Sequence, residues 1–113
     1  MPPTLADRVR HILETIEQIE RALAGKSLED FRSDRLLRAA IERLLEIVCE
    51  ASRYIPDEAK QRAPALPWQK MIDFGNRLRH AYHQIDVDIV WSIVRDDLAP
   101  LKAFAEDIIR RQR

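Results

Sequence analysis

Apolar residues recur at helical spacing from the start of the chain. Leu5, Val9, Ile12, Ile16, Ile19 and Leu23 fall alternately four and three apart. Thr4, with Asp7 three residues on, reads as a capping box for this first helix, and Gly25 as its stop. The connector "KSLEDFRS" follows, with Leu28 and Phe31 expected to pack back onto the bundle. A second helix is predicted from Ser33 or Asp34, carrying Leu37, Ala40, Ile41, Leu44, Val48 and Ala51 on its apolar side. It ends by Ile55, because Pro56 disfavours helix in the residue before it. "PDEAKQRA" reads as a short helix with Pro56 at its first position and acids in its first turn, ended by Pro64. A third long helix opens at Pro67 and runs to about His83. Asp86 or Asp88 caps a fourth, in which Pro100 predicts a kink near residues 96–99.

Four long amphipathic helices with short connections predict an all-α protein. Its expected architecture is an antiparallel four-helix bundle with a short extra helix and a kinked last helix. Composition agrees. Only two of 113 residues are glycine, and 34% are charged. Leu, Ala, Glu, Arg and Ile dominate, whereas strands favour Val, Thr and aromatics. The length suits one domain over residues 1–113. A core this small gains from pairing with a second copy.

Net charge is zero, which excludes a globally basic nucleic-acid binder but leaves room for a local basic patch. The single cysteine, Cys49, allows no internal disulfide and reads as a small buried hydrophobe. No apolar run is long enough to span a bilayer, and "MPPTLADRVR" lacks a signal-peptide pattern. The expectation is a cytoplasmic protein with no membrane association.

Chemistry concentrates in "MIDFGNRLRHAYHQID", residues 71–86. At about 100° per residue, Met71, Phe74, Leu78, Ala81, Tyr82 and Ile85 form one apolar stripe. His80 points about 160° away from its centre. Asn76 and Arg77 lie four and three residues before His80, and His83 three after it, so all three are its surface neighbours. Three readings follow from the residues alone. The first is an ordinary solvated helix face, the usual fate of charge-rich helix surfaces. The second is a phosphate site, with an arginine fork on the oxygens and a histidine that moves protons near neutral pH. The third is a metal site of His80, His83 and Asp86, which the neighbouring arginines oppose by like-charge repulsion.

Two segments carry a family resemblance. "SDRLLRAAIERLLEIVCEAS" and "PWQKMIDFGNRLRHAYHQIDVDIVWSIVRDDLAPL" resemble, in order and spacing, the HepT-like branch of the HEPN superfamily. That branch supplies the toxins of HepT/MntA toxin–antitoxin pairs. The resemblance covers nearly the whole chain and implies a HEPN-type bundle. The family signature is Arg, four residues, His, one residue, Tyr. His80 and Tyr82 match it, Asn76 matches the polar residue after the Arg, and the Arg itself falls on Gly75.

The resemblance implies a metal-independent endoribonuclease toxin that acts as a homodimer on RNA without a cofactor. In active members, the Arg and His of two subunits meet at the dimer interface. It also implies silencing by an MntA-like nucleotidyltransferase antitoxin that transfers AMP to the motif tyrosine, here Tyr82. On this reading His80, Asn76 and Arg77 are catalytic, Arg79 and His83 bind substrate, and Arg77 is the better substitute for the absent arginine. If Gly75 is a true loss, Gly75→Arg is expected to raise cleavage; if Arg77 has taken over the role, Gly75→Arg is expected to change little and Arg77→Ala to abolish cleavage. The alternative is a catalytically degenerate HEPN dimer that binds the nucleotidyltransferase or a nucleotide without cutting RNA.

Overall fold

The computed structural model describes residues 2–80 and 85–112. Within them the chain forms α1 (Leu5–Leu23), α2 (Leu28–Ser33), α3 (Arg35–Arg53), α4 (Asp57–Lys60), α5 (Trp68–His80), α6 (Val87–Asp96) and α7 (Leu98–Arg111). The all-α expectation holds.

The start of α1 is the expected capping box. Thr4 Oγ1 accepts from the Asp7 N–H at 3.1 Å, and Asp7 accepts from the Thr4 N–H at 2.9 Å. The stop follows as expected, with Gly25 at φ 74, a left-handed conformation that costs other residues a steric clash. The connector differs from expectation, because residues 28–33 are helical. A second capping box, Ser27 with Asp30, satisfies the Ser27 N–H at 2.9 Å and the Asp30 N–H at 3.1 Å. Six residues are too few to display a helical period, so only the Ser-x-x-Asp cap announced this element. Phe31 is buried, as expected of it, and stacks on Trp91 of α6 at 5.5 Å.

Asp34 caps α3 by accepting from the Leu37 N–H at 3.0 Å. Tyr54 closes the helix just before Pro56. Pro56 occupies the N-cap of α4 rather than its first helical position. Trp68 fixes the entry to α5. Its indole N–H donates to the Ala63 carbonyl at 3.0 Å, and its ring meets Phe104 of α7 edge-on at 5.0 Å.

The last segment breaks where Pro100 predicted a kink. Pro100 has no N–H to offer the Asp96 carbonyl, and α6 ends at Asp96. The Asp97 N–H still reaches Ile93 O at 2.9 Å, and Leu101 N–H reaches Asp97 O at 3.4 Å. The two helices therefore follow each other with one residue between them. Lys70 of α5 pairs with Asp97 at 2.9 Å and ties α5 to that break.

α3 lies between α1 and α5, and α7 packs on α1. Ile12, Ile16, Ile41, Leu45, Val48 and Leu101 are fully buried in the core. Burying a side chain of this size contributes roughly 1.5–3 kcal/mol against chain entropy. Among the described residues no buried side-chain polar atom lacks a hydrogen-bond partner. No described helix is long and apolar enough to cross a membrane.

Candidate active site

The packing of α5 against α3 decides which residues of the motif reach solvent. Met71, Phe74, Gly75 and Leu78 are buried, while Asn76, Arg77, Arg79 and His80 are exposed. His80 is thus on the polar face, as its angular position predicts. Tyr82 and His83 lie outside the described residues, and so does the metal reading that needs His83. Among the described residues no cluster of three or more His, Cys, Asp or Glu side chains could hold a metal ion.

Gly75 is where the structure corrects the sequence reading. The helix crossing is so close that a Cβ on Gly75 would lie 2.7 Å from the Cβ of Cys49 on α3. Real Cβ atoms do not approach that closely, so glycine here is a packing requirement. A side chain at residue 75 would begin against Cys49, so Gly75→Arg adds a guanidinium only at the cost of a shift in the α3–α5 crossing. The slot opens onto the α3 surface rather than onto the solvent face that carries His80. Cys49 is 1% exposed. Burial, then the carboxylates of Glu46, Asp97 and Glu50, push its thiol up to about 12. It is a core residue without nucleophilic chemistry.

The exposed residues divide into two groups. Arg79 donates from Nη2 to Glu50 Oε2 at 2.9 Å and to Asn76 Oδ1 at 3.1 Å. This holds the amide of Asn76 in one orientation and joins α5 to α3 by a polar clip. Arg77 and His80 make no side-chain hydrogen bond or ion pair among the described residues. Among the described residues nothing engages the Arg77 donors, whereas Arg79 offers what its clip leaves free.

Glu50 escaped the sequence reading, since it lies 29 positions from Arg79 on another helix. No local spacing rule reaches across that distance. Beside the clip, α1 and α3 bound an open groove of about 660 Å³ with Arg79 at its edge. Arg8 of α1 stacks over the Tyr54 ring in it, 4.7 Å from the centroid.

The fold and this face define a HEPN-type helical bundle with a histidine–arginine surface on its fifth helix. The family model described as "Ribonuclease HepT-like" matches residues 12–108, and the chain belongs to that family. It is 37% identical to "Probable ribonuclease HepT" of Thermococcus cleftensis over 102 residues, covering 90% of this chain and 93% of that one. It is 34% identical to "Putative RNase MJ1380" of Methanocaldococcus jannaschii over 95 residues, covering 84% and 87% of the two chains. "Putative RNase TTE0752" of Caldanaerobacter subterraneus is 28% identical over 105 residues, covering 93% and 94%. No solved structure matches the chain.

Proposed function

We propose that this protein is an endoribonuclease in which His80 is the proton-transfer group. The observation that carries the reading is the solvent face of α5. His80 stands there one turn from Asn76 and Arg77, with an apolar stripe behind it. Membership of the ribonuclease HepT-like family supports it.

RNA brings its own nucleophile. The ribose 2′-OH attacks the adjacent phosphorus and the bond to the 5′-oxygen breaks, leaving a 2′,3′-cyclic phosphate and a 5′-OH. His80 takes the proton from the 2′-OH or supplies one to the leaving 5′-oxygen. Arg77 places its fork on the non-bridging oxygens as charge builds there. Asn76, held by Arg79, orients substrate, and Arg79 and His83 bind the flanking phosphates. The reaction proceeds without metal or cofactor, because nucleophile, proton carrier and counter-charge are all supplied.

The protein acts as a homodimer and as the toxin of a toxin–antitoxin pair. Its partner is an MntA-like nucleotidyltransferase that transfers AMP from ATP to the Tyr82 hydroxyl, with release of pyrophosphate. A bulky anion two residues from His80 blocks substrate and repels RNA phosphate. The test is labelled RNA with purified protein in EDTA. Cleavage by the native chain and none by His80→Ala is expected, and equal cleavage by both removes His80 from the chemistry.

A second reading has one observation in its favour. The motif position taken by Arg in the family is occupied by a glycine packed on Cys49. On this reading the chain is a catalytically degenerate dimer that binds the nucleotidyltransferase or a nucleotide. Absence of cleavage by the native chain, with retained binding of the nucleotidyltransferase, selects it.

A further inference from the structure

The clip between Glu50, Arg79 and Asn76 has a direction. Arg79 Nη2 donates to Glu50 Oε2 at 2.9 Å and to Asn76 Oδ1 at 3.1 Å, so a single nitrogen uses both its hydrogens on the two partners. A guanidinium has no acceptor, so the end of the Asn76 carboxamide that faces it can only be the oxygen. The NH2 end is turned the other way. At about 100° per residue, Arg79 and His80 flank Asn76 on opposite sides, about 60° one way and about 40° the other. Arg77 lies further round on the His80 side, about 100° from Asn76. The amide donors of Asn76 therefore face the side of α5 that carries His80 and Arg77.

Glu50 supplies the anchor that α5 lacks. Arginine is a long side chain with much rotamer freedom, and a bond to Asn76 alone leaves its guanidinium free to swing. A carboxylate arriving from α3 holds it from outside the helix. The close crossing of the two helices makes that reach possible. Glu50 follows Cys49, and Arg79 stands one turn after Gly75, where a Cβ would lie 2.7 Å from the Cβ of Cys49. The Arg79 and Glu50 side chains are 38% and 37% exposed, and a pair that open contributes little to stability, which leaves orientation as its effect.

We propose that Glu50 is a positioning residue of the site. Through Arg79 it holds the Asn76 NH2 group toward His80 and Arg77, where that group donates to a non-bridging phosphate oxygen of RNA. A directed amide donor then stands beside the Arg77 cation, fixed before the charge on the phosphate develops.

This inference rests on the ribonuclease reading, and two experiments separate them. The first reads cleavage. Glu50→Ala is expected to lower kcat by up to roughly 10²-fold through the misplaced amide. KM should stay level or fall, because Arg79 without its carboxylate is a freer cation for RNA. Glu50→Gln keeps an acceptor oxygen at the same reach and is expected to recover part of the loss. In an Asn76→Ala chain, Glu50→Ala is expected to cost nothing further. Native kcat in Glu50→Ala, or an equal loss with and without the Asn76 side chain, overturns the proposal. The second experiment needs no cleavage. The heteronuclear 15N–1H NOE of the Asn76 side-chain NH2 is expected to be high in the native chain and to fall in Glu50→Ala and in Arg79→Ala. A low value in the native chain, or one that Glu50→Ala leaves unchanged, overturns the proposal whatever the activity. A native chain that cuts no RNA overturns the proposed function, and the NOE still decides whether Glu50 fixes Asn76.

Discussion

Gly75 of α5 and Cys49 of α3 meet at a helix crossing too close for a second Cβ, which would stand 2.7 Å from the first. The contact is between Cβ positions, so the sulfur is not what excludes a side chain. Gly75→Ala is expected to destabilise the fold by about 1–3 kcal/mol through overpacking, despite alanine's better helix propensity. Cys49→Ala keeps its Cβ and should not rescue it, whereas Cys49→Gly should do so in part. Urea unfolding of the single and double variants checks this. A stabilised Gly75→Ala would contradict the close crossing. Gly75→Arg is expected to lower the yield of folded protein rather than raise RNA cleavage.

The Cys49 thiol should be inert in the native protein. Burial raises its pKa from an ordinary 9.0 to about 12. The unfolded chain therefore releases this proton first as pH rises. The contribution of Cys49 to stability is complete below about pH 9 and is lost between there and about pH 12. Thiol-specific labelling at pH 8 should be slow in buffer and rapid in denaturant. Equal rates would place Cys49 at the surface.

The two capping boxes should make their helices acid-sensitive. Hydrogen bonds from Thr4 hold the Asp7 carboxyl below its ordinary value, and those from Ser27 do the same for Asp30. Depressed carboxyl pKa values contribute stability above the unfolded value near pH 4, and the contribution fades as acid protonates the folded form. Thr4→Ala and Ser27→Ala are expected to cost about 0.5–2 kcal/mol each at pH 7. Most of that cost should persist at pH 3, because the lost bond from the Asp7 or Asp30 N–H does not titrate, whereas the effect of Asp7→Asn and Asp30→Asn should shrink towards pH 3 as the carboxyl is protonated. A cost of Asp7→Asn or Asp30→Asn that grows on acidification would contradict the caps.

Under the proposed function, Tyr82 is the expected target of a nucleotidyltransferase antitoxin. Incubation with the cognate nucleotidyltransferase and ATP should add one AMP to the native chain and none to Tyr82→Phe, read by intact-mass spectrometry. An identical adduct on Tyr82→Phe would move the modification elsewhere.

Much of the fold was legible because it is written locally. The Thr4–Asp7 cap, the Gly25 stop, the Asp34 and Asp86 caps and the break before Pro100 each depend on residues a few positions apart. The helix formed by residues 28–33 was too short to show a period. Within the site, the exposure of His80, Asn76 and Arg77 followed from rotation about a single helix axis. What rotation could not show was interhelical. Gly75 looked like a lost functional arginine until Cys49 was placed beneath it. Arg79 looked like a free cation until Glu50 arrived from α3.

The proposed function has the α5 face cleave RNA through His80 and the substrate's own 2′-OH. The most direct measurement is a time course on an end-labelled RNA and its DNA counterpart in EDTA, with native protein, His80→Ala and Arg77→Ala. Cleavage of the RNA alone, ending in 2′,3′-cyclic phosphate, is expected. His80→Ala should lose cleavage, and Arg77→Ala should reduce it roughly 10²- to 10³-fold. Cleavage of the DNA, or RNA cleavage undiminished in His80→Ala, would contradict the proposed function.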